Sequence, residues 1–472
     1  MTGRAGSAAL PARMSAELTW RLAQHARRLG WDAGELAACQ RERLRILLAY
    51  AAEYSPFHAR RLRGLDLSQF EAGDLTRLPV MTKAQMMAEF DDVLTDRRLS
   101  RSLAEQHLAA SARAPGLLLD EFVCLASGGS SGLRGVFVQT LGEFAGFVAS
   151  LTRPGYARAL AAGGPPPGGL VIGIVAAASP AHSSGFGAAV AAGPPVRLVA
   201  APATLPLPEI VARLNAAQPP ALLGYASKLA ELAREQLAGK LAIAPRSVTS
   251  VSEVLTAADR AVIEHAFAVP ATDSFVSTEG LVGHSEPSGS VMTFASDMCL
   301  AELVDDDGNP VPAGVTSARV LITNLHNLTQ PLVRYELTDR FTSPAGAPPA
   351  GWLRASIQGR ADEVFRYGPG VTVHPHVIRS ALAAEPAVRE YQVRQTRAGI
   401  HVTCVTDGHL AATRLTARLE HALRQAGLTE PQVTITPAQT ITRDPSTGKV
   451  PRFITRHPAK PTHPPPPASH AS

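Results

Sequence analysis

Apolar residues recur along the chain at two different spacings, and the change between them predicts how the chain is organised. Up to about residue 60 they lie three or four positions apart, as in amphipathic helices. From about residue 120, short apolar runs alternate with helical stretches, which is typical of an α/β fold with a largely parallel sheet. The runs that predict strands are 122–125, 170–175, 196–199, 221–225, 247–251 and 272–276.

The same pattern predicts where the domains divide. Alternating stretches within 299–341 predict a β-rich subdomain after the α/β core, and the Pro- and Gly-rich segment 343–351 is typical of a loop. We therefore predict a large N-terminal domain over residues 1–357 and a small α+β domain over residues 358–456. Residues 457–472 contain Pro, His and few apolar side chains, so we expect a disordered tail there.

Composition narrows the class of protein. With 45% apolar and 18% charged residues, the chain has enough apolar material to fold as a globular protein. Its formal charge of +5 over 472 residues produces only a weak electrostatic field, and the sequence contains no strongly basic segment. We therefore expect no nucleic-acid partner. The four cysteines form no CxxC pair, which argues against a disulfide framework or a zinc cage. No apolar run resembles a signal peptide or a membrane span, so we expect a cytoplasmic protein without membrane contact.

The strongest local motif is the segment Ser127-Gly128-Gly129-Ser130-Ser131-Gly132, which follows the apolar run 122–125. Glycines allow backbone N–H groups to close around an anion and the serine hydroxyls add donors, so this loop is able to hold phosphates. It is not a Walker loop, because Leu133 and Arg134 follow in place of the GK[ST] sequence. A plain flexible turn is the alternative interpretation.

Polar residues later in the chain add chemistry that suits a nucleotide. Thr278 and Glu279 follow a predicted strand and place a hydroxyl beside a carboxylate, groups that contact phosphate oxygens and Mg²⁺. Asp339 offers a carboxylate to a ribose diol, and Lys449, one of only five lysines, lies in a glycine-containing loop. The ordinary alternatives are a surface ion pair between Asp339 and Arg334 and a solvated Lys449.

Taken in order, these motifs resemble the adenylate-forming superfamily of acyl-CoA synthetases, and within it the phenylacetate-CoA ligase-like branch, which includes the deazaflavin-cofactor adenylating synthetases. The resemblance spans nearly the whole chain, and its specificity lies in the order and spacing of short fragments. Further matching stretches are Tyr54-Ser55-Pro56-Phe57-His58, Leu78-Pro79-Val80-Met81-Thr82-Lys83, Leu223-Gly224-Tyr225-Ala226-Ser227, Ser252-Glu253, 323–327 and 330–335.

The resemblance implies how adenylation would proceed. The loop 127–132 would hold the β- and γ-phosphates of ATP, Thr278 would meet the α-phosphate and Glu279 would ligate Mg²⁺. Lys449 would bridge the incoming carboxylate and the α-phosphate, where a fixed cation stabilises the charge that develops during in-line displacement. Lys449, Thr278 and Glu279 are therefore the candidate catalytic residues.

The resemblance also implies how the nucleoside would be held and how the small domain would move. Phe275 replaces a tyrosine frequent at that position and keeps an aromatic face for adenine or the substrate, and Asp339 would bind the ribose hydroxyls with Arg360 close by. Asp362 matches the family's hinge, about which the small domain swings between adenylation and thioester formation. The ordinary alternative is that Asp362 and Arg360 together cap a turn.

The chain departs from the family's pattern at several positions. Leu133 and Arg134 replace the usual Lys-Pro of the phosphate loop, so its cation is missing unless Arg134 substitutes. Gln139 replaces a tyrosine of phenylacetate ligases, and His182 falls where the superfamily lines its acyl pocket, although a satisfied loop histidine is the alternative. Segment 283–286 contains no cysteine, so we expect no zinc site.

The resemblance predicts a Mg²⁺- and ATP-dependent carboxylate-CoA ligase that forms an acyl-adenylate and then a thioester, with an aromatic or arylacetic acid as substrate and coenzyme A as co-substrate. Transfer to an amine or another acceptor, nucleotidyl transfer as in the deazaflavin branch, and a non-catalytic scaffold of the same fold stay open. A serine hydrolase and a dinucleotide oxidoreductase are disfavoured, since neither GxSxG nor a GxGxxG between strand and helix is found. The acid, the acceptor and the oligomeric state, monomer or homodimer, are left undetermined.

Overall fold

The computed structural model describes residues 3–111, 114–127, 134–164, 168–346, 351–368, 370–385, 387–445 and 447–456, with the backbone alone for residues 3–9 and 376. The chain divides into two compact units. The larger one is built from the described residues of 1–128, 135–359 and 442–450, and the smaller one from those of 129–134, 360–441 and 451–472. Segment 442–450, which carries Lys449, thus packs within the larger unit.

Helices make up the outer layers of the larger unit. They are α1 (Gly3–Arg28), α2 (Ala33–Tyr54), α3 (Pro56–Arg61), α4 (Lys83–Ala88), α5 (Phe90–Val93), α6 (Arg101–Ala110), α7 (Leu141–Ala161), α8 (Ser183–Val190), α9 (Leu207–Ala217), α10 (Ala226–Leu237) and α11 (Ala257–Phe267). Local sequence sets several of their starts: Thr140 and Glu143 form a capping box at α7, and the Thr256 side chain accepts from the Asp259 amide at α11, as its N-cap position predicts.

Strands of the larger unit form three sheets within the described residues. The strands are β1 (Phe122–Ala126), β2 (Val136–Thr140), β3 (Leu170–Val175), β4 (Ala192–Gly193), β5 (Val196–Ala200), β6 (Ala221–Gly224), β7 (Ser247–Val251), β8 (Ala271–Val276), β9 (Val282–Ser285), β10 (Met292–Phe294), β11 (Cys299–Val304), β12 (Arg319–Asn324), β13 (Tyr335–Leu337), β14 (Asp339–Thr342) and β15 (Arg354–Arg360). Among them, the main sheet has the order β14-β15-β10-β9-β8-β7-β6-β3-β5-β4, and β1-β2 and β11-β12-β13 form the smaller sheets.

The centre of the main sheet is parallel. β5, β3, β6, β7 and β8 pair in parallel, whereas the pairs β4–β5, β8–β9, β9–β10 and β10–β15 are antiparallel. The predicted runs 170–175 and 247–251 coincide with β3 and β7. The predicted α/β fold with a mixed, largely parallel sheet and a following β-rich subdomain is therefore confirmed.

Each face of this sheet has its own core. Leu222 and Val248 pack with the helices α9, α10 and α11 on one face, and Ile172 packs with residues of α1, α7 and α8 on the other. Side chains of successive strand residues point to opposite faces, so both faces of these short apolar strands are covered. The two helical layers leave the carboxyl ends of the parallel strands as the place where loops meet.

The smaller unit is an α+β structure of its own. Its elements are β16 (Phe365–Tyr367), β17 (Val371–Val373), α12 (Pro375–Ala383), β18 (Val388–Gln395), β19 (Gly399–Thr406), α13 (Ala412–Gln425), β20 (Gln432–Pro437) and β21 (Phe453–Ile454). In the described part of this unit the main sheet has the order β20-β19-β18-β21, and Leu415, Leu419 and Leu423 of α13 belong to its core. Across all described residues, no helix combines the length and the apolarity needed to cross a membrane.

Candidate active site

A cavity of about 740 Å³ reaches the carboxyl ends of the parallel strands. Tyr225, Ser252 and Thr278, which follow β6, β7 and β8, line this cavity together with Lys449. In open α/β sheets this edge is where ligands bind, because the loops that follow the strands converge there. The site therefore brings together Thr278 and Lys449, which are 171 positions apart in the sequence, counting from 278 to 449.

The Lys449 ammonium lies over an aromatic ring. Its Nζ is 5.4 Å from the centroid of the Tyr225 ring, a distance at which a cation is attracted to the π face. The Tyr225 hydroxyl accepts a hydrogen bond from the Ala177 amide at 2.9 Å, and burial raises the pKa of this phenol. The ring is consequently a fixed, neutral platform for the lysine.

The backbone around Lys449 forms a tight hairpin. The Gly448 amide donates to the Asp444 carbonyl at 2.8 Å, and the Asp444 amide donates to the Lys449 carbonyl at 2.8 Å. Gly448 has a φ of +76°, and a Cβ atom there would lie 3.0 Å from the Ala203 carbonyl carbon. Glycine is required at this position because the turn needs left-handed backbone and close approach to a neighbouring loop.

Two charged residues fasten this hairpin to the rest of the larger unit. One Glu253 carboxylate oxygen accepts from the Ser227 amide at 3.0 Å, and the other accepts from the Val450 amide at 3.1 Å. Arg443 donates to the Ser227 hydroxyl at 3.0 Å and to the Gly448 carbonyl at 3.2 Å, and it pairs with Glu231. Hydrogen bonds to charged groups are stronger than neutral ones, so these contacts fix the residue on either side of Lys449.

Thr278 and Glu279 lie in the turn that follows β8. Glu279 is buried, and its carboxylate is 3.9 Å from the Lys83 ammonium. The Asn324 side-chain amide donates to the Glu279 carbonyl at 2.8 Å, which connects this turn to β12. Gly280 has a φ of +108°, and a Cβ atom there would lie 2.3 Å from the Asn324 Nδ2 atom, so the turn requires glycine.

The donor set around Glu279 fits Mg²⁺ bound together with phosphates. No cluster of three or more His, Cys, Asp or Glu side chains able to hold a metal occurs among the residues that the structure describes. Mg²⁺ typically uses one or two carboxylates together with waters and substrate phosphate oxygens, and it needs no complete protein cage. A single buried carboxylate, on the residue that follows Thr278 in the sequence, matches that requirement.

The expected nucleoside contacts lie on two strands of the main sheet, β8 and β14, that are separated by β9, β10 and β15. The Phe275 ring on β8 packs edge-on against Phe341 of β14, with ring centroids 5.3 Å apart, and against Phe294 of β10 at 6.1 Å. Asp339 is buried at the first position of β14. Arg334 does not form the ion pair that would make Asp339 part of a surface bridge; it is buried and pairs with Glu302 at 3.0 Å.

The predicted phosphate loop connects the antiparallel strands β1 and β2. Ser127 closes its base, because the Ser127 amide donates to the Gly135 carbonyl at 2.9 Å and the Ser127 hydroxyl accepts from the Gly135 amide at 2.9 Å. Ala126, the preceding residue, lines the cavity. The other predicted phosphate contacts, Gly128, Gly129, Ser130, Ser131 and Gly132, lie outside the described residues.

Of the remaining predicted site residues, His182 lines the cavity, whereas Gln139, Arg360 and Asp362 do not belong to the described lining. His182 lines the cavity, and its Nδ1 atom is 3.1 Å from the Ala126 carbonyl oxygen, to which it donates. Gln139 is buried on β2 and does not belong to the cavity lining in the described part of the chain. Within the smaller unit, Arg360 pairs with Asp362 through two hydrogen bonds of 2.9 and 3.1 Å.

Sequence reasoning gave no catalytic or ligand-binding role to four residues that shape the site, although it did offer Glu253 as a residue that holds a loop. Lys83, Tyr225 and Glu253 stand in stretches that match the family, yet those matches do not show that Lys83 faces Glu279 or that Glu253 contacts Val450. Arg443 carries no motif signal in the sequence. Only the rarity of lysine in this chain marks Lys83 as unusual.

Comparison with known proteins identifies the fold. No protein-family model matches the chain, and no curated protein matches it. The fold is identified by solved structures.

A 2-hydroxyisobutyryl-CoA ligase, solved in the postadenylation state with the adenylate R3-HIB-AMP, superposes with a TM-score of 0.66 at 19% identity, over 90% of both chains. An open conformation of that ligase with 2-HIB-AMP and CoA gives a TM-score of 0.55 at 18% identity, over 88% of this chain and 90% of that one. The ATP-bound RpMatB-BxBclM chimera B3 gives 0.51 at 16% identity, over 68% and 65%. The chain thus has the fold of adenylate-forming acyl-CoA ligases.

Proposed function

We propose that this protein is an ATP-dependent carboxylate ligase that forms an acyl-adenylate and then passes the acyl group to coenzyme A. The observation that carries the proposal is that Lys449 and Thr278 line one cavity at the carboxyl edge of the parallel sheet, with Glu279 next to Thr278. A cation, a hydroxyl and a carboxylate are the groups needed where a carboxylate meets a triphosphate.

In adenylation, a carboxylate oxygen of the acid attacks the α-phosphorus of ATP, and the bond to the bridging oxygen of pyrophosphate breaks. The Lys449 ammonium lies between the two reacting anions, so it offsets their repulsion and stabilises the charge on the α-phosphate. The Thr278 hydroxyl would donate a hydrogen bond to an α-phosphate oxygen. Because Lys449 is placed by the hairpin and the Tyr225 platform, this stabilisation needs little rearrangement during the reaction.

The other nucleotide contacts follow the resemblance. Bound Mg²⁺ supplies a positive charge that neutralises the departing pyrophosphate, and Glu279 is the residue that would hold it. Loop 127–132 would bind the β- and γ-phosphates, and Asp339 the ribose hydroxyls, next to the aromatic face of Phe275. Arg360 would assist Asp339 in holding the ribose.

The second half-reaction and the acid complete the proposal. The CoA sulfur attacks the acyl carbonyl carbon and AMP leaves, and the smaller unit would turn about Asp362 to admit the thiol. We expect an acid with an aromatic or arylacetic group, as in the phenylacetate-CoA ligase-like branch. The adenylates and CoA present in the 2-hydroxyisobutyryl-CoA ligase structures support this order of events for the shared fold.

The test is pyrophosphate release from ATP and Mg²⁺ with a panel of aryl, arylacetic and fatty acids, with and without CoA. We expect release that depends on an acid, and AMP plus thioester only when CoA is added. Lys449→Ala should abolish acid-dependent release, whereas the control Lys240→Ala, which removes an exposed lysine paired with Glu235, should retain it. Release that survives Lys449→Ala, or no release with any acid, would contradict the proposed function.

A further inference from the structure

The cavity extends far beyond the space around Lys449. One face of α7 lines it through Phe147, Leu151, Gly155 and Ala159, and Ala162 directly after the helix continues this face. Fifteen residues of helix at 1.5 Å per residue give a length of about 22 Å. On the opposite wall the lining runs from Leu170, the first residue of β3, to Ala176 directly after the strand, and six steps of about 3.3 Å give a similar length of about 20 Å.

The interior of the cavity is suited to an apolar chain. Aliphatic side chains of α7 and β3, such as Ile172, line the cavity. The polar groups on strands β7, β8 and β9 of the same sheet pair with one another: the hydroxyls of Thr249 and Thr272 are 2.8 Å apart, and the Ser274 hydroxyl is 2.8 Å from His284 Nδ1. Because the Thr249, Thr272 and Ser274 hydroxyls already have partners, an apolar ligand leaves none of these three newly unpaired. His284 is paired through Nδ1 only, and its Nε2 atom is buried without a hydrogen-bond partner among the described residues.

Charges in the middle of the cavity are compensated or absent. Burial lowers the pKa of His284 to about 4, so its imidazole is neutral at physiological pH. Arg153 lines the cavity, but it is bound to Asp297 by two hydrogen bonds of 2.8 Å. The wall therefore presents no uncompensated charge to a hydrocarbon tail.

The end of the cavity away from Lys449 opens to solvent. Arg158, Arg246 and Glu286 line it there, and all three residues are exposed. They lie near the amino ends of the parallel strands, with Arg246 directly before β7 and Glu286 directly after β9. A ligand that follows the cavity from Lys449 would therefore reach water at this second opening.

We infer that the acid is elongated, with its carboxylate beside Lys449 and an apolar tail that runs between α7 and β3 toward the opening at Arg158. This inference rests on the proposed function and narrows its substrate class, because a single ring fills only the part of the cavity nearest Lys449. Gly155 agrees with it: a Cβ atom there would contact only Arg158 Nη2, at 4.0 Å, so the helix leaves open space along the path of the tail.

The first experiment measures kcat/KM for acid-dependent pyrophosphate release with phenylacetate, phenylbutanoate, phenyloctanoate, octanoate and hexadecanoate. Burial of each added methylene should raise kcat/KM by up to about fourfold until the tail reaches the second opening. Phenyloctanoate should therefore exceed phenylacetate by more than about a hundredfold. Equal or lower kcat/KM for the longer acids would overturn the inference and leave the proposed function standing.

Two alanines near the end of α7 provide a matched pair of variants. Ala159 lines the cavity, whereas Ala161 is exposed two positions away. Ala159→Trp should shorten the preferred acid, with a loss of at least tenfold for phenyloctanoate and little change for phenylacetate. Ala161→Trp adds the same side chain to the same helix and should leave both values unchanged. A loss of the same size for both acids in Ala159→Trp would also overturn the inference.

Direct binding separates failure of this inference from failure of the proposed function. If no acid supports pyrophosphate release, calorimetric titration of the wild type and Ala159→Trp with phenyloctanoate and phenylacetate decides the case. Tighter binding of phenyloctanoate that Ala159→Trp weakens would retain the elongated ligand and reject the ligase function. No preference for phenyloctanoate would reject the elongated ligand as well.

Discussion

Glu253→Gln tests whether the anchor of the 442–450 hairpin controls the position of Lys449. The wild-type carboxylate accepts two backbone hydrogen bonds, from Ser227 at 3.0 Å and from Val450 at 3.1 Å. A glutamine of the same shape has one oxygen and one amide nitrogen. Whichever way it is oriented, an NH₂ group faces one of the two N–H donors, so one hydrogen bond is lost and two donors oppose each other.

The expected magnitude follows from the charge on the lost acceptor. A hydrogen bond to a charged group contributes about 1.5–3 kcal/mol, and about 2 kcal/mol corresponds to a roughly thirtyfold change in an equilibrium constant. If the hairpin must be docked for Lys449 to act, kcat for pyrophosphate release should fall about ten- to thirtyfold. The KM values for ATP and for the acid should change little, because Glu253 acts through the hairpin as a positioning residue.

Two measurements check this prediction in the full-length protein. The first is the rate of pyrophosphate release with the acid that the panel identifies, compared with AMP formation from a preformed acyl-adenylate and CoA, which should be spared. The second is amide hydrogen exchange in the peptide that contains Val450, which should become faster. Glu264→Gln is the control for the loss of a carboxylate charge: Ala271 and Ser288 both donate to its Oε1 atom, so a glutamine there keeps both hydrogen bonds.

The outcome that refutes the reasoning is specific. If Glu253→Gln speeds amide exchange at Val450 but keeps the pyrophosphate rate within about twofold of Glu264→Gln, the catalytic position of Lys449 does not depend on this anchor. A change in KM without a change in kcat would instead assign Glu253 to ligand binding.

Three further predictions concern the strained turn and two buried carboxyls. Gly280→Ala should reduce adenylation at least tenfold and lower the melting temperature, because its Cβ would lie 2.3 Å from the Asn324 Nδ2 atom at a φ of +108°; wild-type rates would contradict this. Asp297→Asn should lower the free energy of unfolding by about 3–5 kcal/mol in denaturant titrations, since it leaves Arg153 buried without its counter-charge; a loss below about 1 kcal/mol would contradict it. Burial raises the pKa of Asp273 to about 6, so the folded protein holds a proton that the unfolded chain releases near pH 4. The free energy of unfolding should therefore fall by about 2–3 kcal/mol as pH rises from about 4 to 6, because the stability contributed by protonated Asp273 is lost. In Asp273→Asn, which has no carboxyl to titrate there, this fall should be absent. Identical pH profiles for wild type and variant would refute the prediction.

The sequence alone determined the elements and the fold class. The run 170–175 is recognisable because a strand covered on both faces is largely apolar, and Thr256 marks a helix start because its hydroxyl satisfies an amide only three residues away. Both signals are local, so they are present before the chain folds. The order of short motifs likewise indicated the adenylate-forming fold that the structural comparison shows.

Only the tertiary structure decided how the site is assembled. The contact between Glu253 and Val450, the packing of segment 442–450 within the larger unit, and the clash that requires glycine at position 280 join residues far apart in sequence. The long cavity beside α7 depends on how one helix face meets several strands, and no single segment encodes that spacing. Such contacts depend on packing between distant elements, and packing is a property of the folded chain that local periodicity does not carry.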